Sequence, residues 1–288
     1  MASTHVDGLQ AIPKRESHPE TKRRLGEARP ERGTSELWDR TGRVTYAGAV
    51  HLEPTTKAAR AQLTELAECA AAGLEPAVPL SPVDERLVRV SRSAAVLILF
   101  GMLDSLPSDR DAQSGAVSRD LDVLLLARAS TLRSHPGQVA FPGGRVDPED
   151  RDAVAAAIRE AVEETGLDAD GIDVLGPLEP VPLTYSRHLV TPVLAWWRRT
   201  SAVGVVDEAE SAAVFRAPVA DLLNPANRGV TVLRRDGEEW RGPGFLVRDD
   251  SGQHLVWGFT AMLLDGIFDR LGWTEPWDEA QEFELPEG

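Results

Sequence analysis

The stretch "FPGGRVDPEDRDAVAAAIREAVEETGL", from Phe141 to Leu167, carries the strongest structural signals in the chain. A strand-like segment, "QVAF", leads into a Gly-Gly pair, and an alanine-rich segment then runs up to Gly166. Glycine lets the backbone approach a ligand closely, and a glycine directly after an apolar periodic segment is typical of a helix end. The stretch therefore predicts a short strand, a glycine loop and a helix, in that order.

We predict that this helix spans Pro148 to Thr165, with Asp147 as its N-cap. Proline suits the first helical position because its missing N–H would have no partner there, and an aspartate before it can accept from the free N–H groups. At roughly 100° per residue, one side of the helix is apolar. We expect the helix to dock through that side, which comprises Val154, Ile158, Ala161, Val162 and Thr165.

Three glutamates, Glu160, Glu163 and Glu164, share an arc about 100° wide on the opposite side of the helix. Like charges at this spacing destabilise an isolated helix by roughly 0.2–0.5 kcal/mol per pair. The arc is either a solvated acidic face or a site where a divalent cation relieves the repulsion, since carboxylates are the hard ligands that Mg²⁺ and Mn²⁺ prefer. The preceding glycine loop favours the cation site, because a strand, a glycine loop and an acidic helix together form a platform for metal and phosphate.

Composition limits the classes of partner. The chain has 288 residues, 42% of them hydrophobic, which is enough for one large domain or two small ones. Its 31 basic and 46 acidic residues give a net charge of −15, which repels nucleic acid and anionic membranes, so we expect neither as a partner. The single cysteine, Cys69, cannot form an internal disulfide, and the first forty residues lack the apolar run of a signal peptide. We therefore expect a cytoplasmic protein.

The chain divides into four segments by composition. Its first part is polar and almost free of aromatic residues, so it cannot bury enough surface to offset the entropy of ordering. The last part is acidic throughout, and we expect it to be solvated. We predict a disordered tail at 1–43, a helical lead-in at 44–82, one domain at 83–273 and an acidic C-terminal tail at 274–288.

Between the two tails, apolar runs of strand length alternate with glycine and proline. A hydrophilic insert at 104–120 separates the first two runs, and we interpret it as a loop, mobile in solution. A second helix is predicted at 258–271 from its apolar periodicity. The predicted strands are 94–103, 121–128, 172–178, 190–197, 214–217, 230–234 and 245–248. A mostly β chain with one central and one late helix predicts an α+β sandwich in which helices flank sheets.

The central stretch resembles the signature of the Nudix hydrolases, which runs from a glycine through Arg-Glu and Glu-Glu to a final glycine and an apolar residue. Asp150 departs from it, standing where the signature has a glutamate, and eight residues instead of seven separate it from Arg159. That acid usually serves structure and not metal binding. The resemblance implies an α/β/α sandwich with a mixed sheet and a central catalytic loop and helix. The matching residues are Gly144, Arg159, Glu160, Ala161, Glu163, Glu164, Gly166 and Leu167.

A second signature lies just upstream and is similar to that of the coenzyme A diphosphatase branch of the family. Only Leu126 departs from it, where that branch has threonine. The matching residues are Leu124, Leu125, Arg128, Ala129, Arg133, Gly137, Phe141, Pro142, Gly143 and Gly144.

The two resemblances imply a set of site residues. Glu160, Glu163 and Glu164 would hold Mg²⁺ or Mn²⁺, and Arg159 would orient these carboxylates during catalysis. Arginine binds phosphate through two parallel hydrogen bonds, which an acidic protein needs for an anionic substrate. The expected substrate-binding residues are Arg128, Arg133, Gly137, Gly143 and Gly144. His135 is either a further phosphate donor or an ordinary loop residue.

The resemblances also imply a reaction, the hydrolysis of coenzyme A or acyl-coenzyme A to 3′,5′-ADP and 4′-phosphopantetheine, free or acylated. The general base is left open among Glu163, Glu164 and two acids of a later loop, Glu208 and Glu210. One alternative is another nucleoside diphosphate derivative, such as ADP-ribose or NADH. The other is a binding module that keeps the fold without turnover. The expected partner is a small-molecule substrate, and a homodimer is left open.

Overall fold

The structure is a computed structural model that describes residues 59–74, 91–102, 107–131, 137–183, 186–235, 238–249 and 252–285, together with the backbone of 37–38 and 44–45. The helices are α1 (Ala59–Ala71), α2 (Ala153–Thr165), α3 (Val219–Leu222) and α4 (Gly258–Arg270), with 3₁₀ turns at Ala169–Gly171 and Pro225–Asn227. The strands are β1 (Leu37–Trp38), β2 (Val44–Thr45), β3 (Arg92–Met102), β4 (Leu121–Arg128), β5 (Val139–Ala140), β6 (Gly143–Arg145), β7 (Ile172–Pro177), β8 (Val181–Leu183), β9 (His188–Trp197), β10 (Ser211–Pro218), β11 (Arg228–Arg235), β12 (Glu238–Asp249), β13 (Gly252–Val256) and β14 (Glu282–Phe283).

All seven strands predicted from apolar runs fall within observed strands to within one residue, and the late helix forms as predicted. The strands that the sequence did not indicate are short or polar. For example, β13 reads "GQHLV" and offers little apolar periodicity. Of the predicted tail at 1–43, the structure describes only β1, which pairs with β2; the remainder lies outside the described residues.

The central sheet is mixed, as the α+β prediction requires, with the order β10-β4-β3-β9-β7. Strands β3 and β9 run parallel, whereas β3 and β4 pair antiparallel over only three residues, from Phe100↔Val123 to Met102↔Leu121. Beyond that point β3 and β4 separate. The segment from Val139 to Arg145 fills the gap, with β5 paired to β4 and β6 paired to β3. We call this opened part of the sheet the split.

Helical layers cover both faces of the central sheet. Along β3, Leu97 and Leu99 pack with the alanines of α2, while Ile98 and Phe100 belong to the larger core on the other face. That larger core also includes Leu63 of α1 and apolar side chains of α4 and of a second sheet, ordered β13-β12-β11-β14. The alternation follows from the two-residue period of a strand. The result is the layered α+β sandwich that the sequence predicted.

Helix α2 differs from the prediction at its start. It begins at Ala153, and its N-cap is Asp152, whose carboxylate accepts from the Ala155 N–H at 2.8 Å. Asp147 does not cap the helix, because Asp150 forms a turn with it and accepts the Asp147 N–H at 2.8 Å. The predicted end is correct, since Gly166 adopts a φ of 70° and its N–H bonds to the Val162 carbonyl. The loop before the helix is therefore longer than the proline position suggested.

The docking face of α2 also differs from the prediction. Val162, placed in the predicted apolar stripe, is 37% exposed, whereas Ala156 and Ala157 on the glutamate side are fully buried. Alanine lets a helix approach a sheet closely, and here the helix lies against β6, whose first two residues are glycines. Ala161 and Thr165 of the predicted stripe are buried, so the docking face is shifted toward the glutamate side and not reversed. The prediction that the glutamates face away from the core is wrong for Glu160 and Glu164, which are partly buried, whereas Glu163 is exposed.

The insert and the C-terminal segment hold each other in place. Arg110 of the insert donates to the Glu275 carboxylate at 2.6 Å and to the Ala220 carbonyl at 2.7 Å, and Glu275 is only 2% exposed. Further along, β14 pairs with β11 in parallel. The expectation of a solvated segment is wrong for these residues, because acidic composition did not reveal that Glu275 is buried beside an arginine partner. Within the described part of the insert, 107–120, the chain is a loop, as predicted.

Candidate active site

The two glutamates nearest the split lie against the Gly-Gly pair. A Cβ added to Gly144 would come within 2.3 Å of the Glu160 Oε1 atom, so any other residue here would displace this carboxylate. The Gly143 N–H donates to Glu164 Oε2 at 2.8 Å. Gly143 itself has a φ of 158°, close to extended backbone, and its Cβ position lies 2.3 Å from the Ala95 carbonyl oxygen. Close packing against the β3 backbone therefore requires glycine at Gly143, and glycine at Gly144 lets the Glu160 carboxylate lie against β6.

Arg159 organises the acids around the start of α2. Its Nε and Nη2 atoms donate to the two oxygens of Asp150 at 3.1 and 2.9 Å, a bidentate pair. Its Nη1 atom lies 3.0 Å from Glu163 and 3.2 Å from Glu160, and Nη2 also donates to the Arg145 carbonyl at 3.0 Å. Asp150 thus serves structure, as the resemblance implied, and the extra residue before Arg159 is accommodated in the loop without loss of the contact.

The acids around Arg159 and the Gly-Gly pair differ in the direction of their pKa shifts. The Arg159 hydrogen bond is the main cause that lowers the pKa of Asp150, and the same pair raises the pKa of Arg159. Burial raises the pKa of Glu160 above its ordinary value. Burial likewise raises the pKa of Glu164 to about 7, although the Gly143 hydrogen bond acts in the opposite direction; the charge of Glu160 raises it further. Burial and the charge of Glu160 thus both disfavour the ionised form of Glu164.

Two residues from the other side of the split complete this environment. Arg128, at the end of β4, lowers the pKa of Glu164 by its positive charge, and Glu210, just before β10, raises it by its negative charge. The Arg128 Nε atom is buried and has no hydrogen-bond partner among the described residues. A buried donor without a partner usually marks an unseen ligand or water. The carbonyl of Glu210 accepts the Ala129 N–H at 2.9 Å, which fixes the turn beside Arg128.

Six further residues were predicted for the site, and the structure describes four of them. Glu163 is exposed, with 58% of its side chain accessible, and faces Arg159. Gly137 is exposed and has a φ of 68°, a conformation that favours glycine. Arg133 and His135 lie outside the described residues. Glu208 and Glu210 are both exposed, but only Glu210 influences Glu164. The structure distinguishes the two, because Glu210 directly precedes β10, the strand that pairs with β4.

The donor set suits a hard divalent cation. Among the residues that the structure describes, no three acidic, histidine or cysteine side chains converge closely enough to form a complete cage. Mg²⁺ is commonly held by one or two carboxylates together with phosphate oxygens of the substrate, and Glu160 and Glu164 provide such a pair beside the Gly144 backbone. A cation there would also relieve the repulsion between the two glutamates. The residues therefore fit a divalent ion.

Comparisons with known proteins relate this chain to one family of hydrolases. The family model described as NUDIX domain matches residues 110–240. A protein of Enterobacter sp. (strain 638) named uncharacterized Nudix hydrolase NudL is 35% identical over 202 residues, which cover 67% of this chain and 90% of that protein. Nudix hydrolase 15, mitochondrial, of Arabidopsis thaliana is 33% identical over 198 residues, which cover 66% of this chain and 61% of that protein. The crystal structure of RenU, a Nudix hydrolase from M. smegmatis, aligns with 44% of this chain and 70% of that chain, at 22% identity and a TM-score of 0.34.

In the described part of the chain, no helix is long and apolar enough to span a membrane.

Proposed function

This chain belongs to the Nudix hydrolase family, and from that membership we propose that it hydrolyses the diphosphate bond of coenzyme A or acyl-coenzyme A. Nudix hydrolases act on pyrophosphate bonds of nucleoside diphosphate derivatives and generally use divalent metal ions. The observation that carries the hydrolase assignment is the convergence of Glu160 and Glu164 on the Gly143-Gly144 backbone. The choice of coenzyme A rests on the second signature, residues 124–144, where only Leu126 departs.

The protein residues of the site have distinct roles in this proposal. Glu160 and Glu164, with Glu163 at the exposed end of the arc, would hold Mg²⁺ or Mn²⁺. When bound, such an ion neutralises phosphate charge and lowers the pKa of a coordinated water. Arg159 keeps the carboxylates in place through hydrogen bonds to Asp150 and ion pairs with Glu160 and Glu163. The expected products are 3′,5′-ADP and 4′-phosphopantetheine, free or acylated.

Phosphate binding in this proposal depends on Arg128. Its buried Nε atom has no partner among the described residues, and its charge acts on Glu164, so a phosphate oxygen placed between them would accept a charge-assisted hydrogen bond. Arg133 is proposed as a second phosphate contact from the signature alone. Proton transfer from the attacking water is assigned to Glu164 or to Glu210, whose negative charge raises the pKa of Glu164 from across the split.

Product identification tests the proposal. Purified protein is incubated with coenzyme A, acetyl-coenzyme A, ADP-ribose or NADH, each with Mg²⁺ or Mn²⁺, and the products are separated by chromatography. Formation of 3′,5′-ADP from the coenzyme A substrates supports the proposal. Faster turnover of ADP-ribose or NADH would assign the chain to another Nudix substrate. Absence of turnover on all four substrates would instead favour the binding module, provided that the same preparation is folded.

A further inference from the structure

A serine of strand β10 lies directly beside Arg128. Strands β10 and β4 pair antiparallel, and Ser211 is the register partner of Arg128. The Arg128 N–H donates to the Gln138 carbonyl at 3.0 Å, and the Arg128 carbonyl accepts the Gly137 N–H at 3.2 Å. Both backbone groups of Arg128 therefore point away from β10. Ser211 and Arg128 thus form a non-hydrogen-bonded pair, in which the Cα atoms lie about 4.5 Å apart and the side chains are close together.

A β-bulge determines which face of the central sheet Ser211 occupies. Phe215 to Ala213 pair one by one with β4, and the register then shifts between Ala213 and Ser211. Without the shift, Ala212 would oppose Arg128, and Ser211 would lie on the same face as Ala213, which packs against the larger core. A bulge sets two residues against one on the partner strand and can redirect a side chain beside an active site. Because of the bulge, Ser211 shares a face with Arg128.

The face that Ser211 and Arg128 share is the one that carries α2. Leu124 packs with the alanines of α2, and Arg128 lies four residues further along β4, on the same face by strand alternation. The effect of the Arg128 charge on the pKa of Glu164 agrees with this placement. Ser211 therefore lies on the side of the sheet that carries the site, next to an arginine that belongs to it.

Backbone hydrogen bonds hold Ser211 in this position. The Asp207 carbonyl accepts the Ser211 N–H at 3.0 Å, which closes the turn that leads into β10. The Glu210 carbonyl accepts the Ala129 N–H at 2.9 Å, which ties the same turn to the residue after Arg128. The backbone on both sides of the pair is thus fixed, so the serine side chain stays beside Arg128 without any change in the turn.

Ser211 and Arg128 each have a donor without a partner. Ser211 is only 2% exposed, and its hydroxyl forms no hydrogen bond with the residues that the structure describes. The Arg128 Nε atom is buried and also lacks a partner among those residues. Buried polar groups are nearly always hydrogen-bonded, so two neighbouring donors without partners indicate an acceptor that binds to both. In a site for diphosphates, a phosphate oxygen is an acceptor that suits a hydroxyl and a guanidinium together.

We propose that Ser211 is a substrate-binding residue whose hydroxyl donates to the same phosphate group as the Arg128 Nε atom. The inference rests on the proposed function, because it requires a diphosphate beside Arg128. The contact is with the diphosphate itself and is independent of the groups on either side of it. Ser211 forms no bond with the substrate and transfers no proton, so it strengthens binding and leaves the chemical step to the other residues of the site.

Two substitutions of Ser211 separate hydrogen bonding from packing. Ser211→Ala removes the hydroxyl, and Ser211→Cys keeps the shape of the side chain but has only a weak donor. Both should raise KM for coenzyme A by about 10- to 100-fold, the range for a hydrogen bond to a charged group, with little change in kcat. Ser118→Ala is the control, since it removes an exposed hydroxyl just before the opposite end of β4, and it should keep the wild-type KM.

A double-mutant cycle tests whether the two donors share one phosphate. In an Arg128→Gln background, Ser211→Ala should raise KM less than it does in the wild type, because interacting residues have non-additive effects. Additive effects would overturn the proposal, as would a wild-type KM in Ser211→Ala. A cysteine variant that matches the wild type while the alanine variant does not would indicate packing and would also overturn it. If circular dichroism shows that Ser211→Ala does not fold, Ser211→Cys takes its place in the cycle.

Failure of coenzyme A as a substrate is distinguishable from failure of the Ser211 contact. If the wild type turns over ADP-ribose or NADH instead, the same variants are measured on that substrate, because each of these molecules carries a diphosphate. If it turns over none of them, calorimetry with inorganic pyrophosphate and Mg²⁺ replaces the kinetics. Weaker binding by Ser211→Ala than by the wild type and Ser118→Ala would support the contact, and equal binding, or no binding by the wild type, would overturn it.

Discussion

Helices α2 and α4 have the same length, 13 residues, but bury different kinds of side chain. Helix α4 buries large apolar residues such as Leu264 and Phe268, and it has no side-chain hydrogen bond at its N-cap. Helix α2 buries alanines, is capped at both ends by side chain and glycine, and places Glu160 and Glu164 partly inside the protein. Helix α4 therefore contributes to stability through its apolar side chains, whereas α2 gives up apolar burial to hold charges close to β6.

The largest expected effect comes from removing a charge on the buried side of α2. Replacing Glu164 by Gln, or Glu160 by Gln, should lower kcat for diphosphate hydrolysis by about 10²- to 10⁴-fold, because each loses a metal ligand or a proton acceptor. The protein should stay folded, since glutamine fills the same space. Steady-state kinetics with saturating Mn²⁺ measures the effect.

A charge-matched control for this variant is Glu68→Gln on the exposed side of α1, which should leave kcat unchanged. If Glu164→Gln and Glu68→Gln had the same rate, the role assigned to α2 would be wrong.

A truncation in the core of α4 should lower stability without lowering activity. Leu264→Ala in α4 should reduce the free energy of unfolding by about 2–5 kcal/mol, because Leu264 is fully buried and the truncation leaves a cavity. At 25 °C the folded fraction should retain a kcat close to that of the wild type. Urea denaturation and active-site-normalised kinetics measure the two quantities. A large loss of kcat in folded protein would contradict a purely stabilising role for α4.

The Gly-Gly pair offers a more local test of α2. Gly144→Ala places a Cβ where the Glu160 carboxylate lies, so the carboxylate has to move by an ångström or more. Displacements of that size typically cost about 10²-fold in rate. Gly204→Ala is the control, because nothing lies within 4 Å of its Cβ position and its φ is unrestrictive. Equal kcat for the two alanine variants would show that the close contact at Gly144 has no catalytic role.

The smallest effect is a pH dependence of stability in metal-free protein. Glu164 has a folded pKa of about 7 against an ordinary value of 4.5, so the folded state binds the proton more tightly than the unfolded state. The protonated Glu164 adds about 1–3 kcal/mol to the free energy of unfolding. This contribution is fully present below about pH 4.5 and is lost as the pH rises through 7. Relative to the wild type, Glu164→Gln should therefore be more stable at pH 8 than at pH 5 in EDTA.

Denaturation of both proteins at the two pH values measures this difference. Added Mn²⁺ should stabilise the wild type more than the variant at pH 8, because the cation binds the ionised carboxylate. An identical pH profile for the two proteins would contradict the burial of Glu164.

The sequence predicted much of the fold because its strands are apolar runs bounded by glycine, proline and charged residues. Strand β4 was placed with its observed bounds, Leu121–Arg128, and its burial is nearly continuous. The N-terminus of α2 was misplaced because Asp147 and Asp152 are equally good caps by residue type. The choice between them depends on Arg159, which holds Asp150 in the preceding loop. For Glu275, burial depends on Arg110, a partner 165 residues away in the chain.

Within the candidate site, the sequence identified the glutamates, Arg159 and the Gly-Gly pair but gave them the wrong orientation. Helical periodicity shows which residues share a side of a helix. Which side packs against the rest of the protein depends on the surface that the helix meets. Here that surface is β6, where two glycines allow Glu160 and Glu164 to approach. The effect of Glu210 on Glu164 likewise follows from the pairing of β10 with β4.

Local patterns in the sequence indicate the strands of this protein, its two long helices within the domain and its family signature. They do so because these features are set by spacing and composition along the chain. Which acids face the glycines, and which arginine each acid pairs with, depends on the tertiary fold. These depend on contacts between residues far apart in the chain, and the free energy of such contacts does not appear in any local pattern.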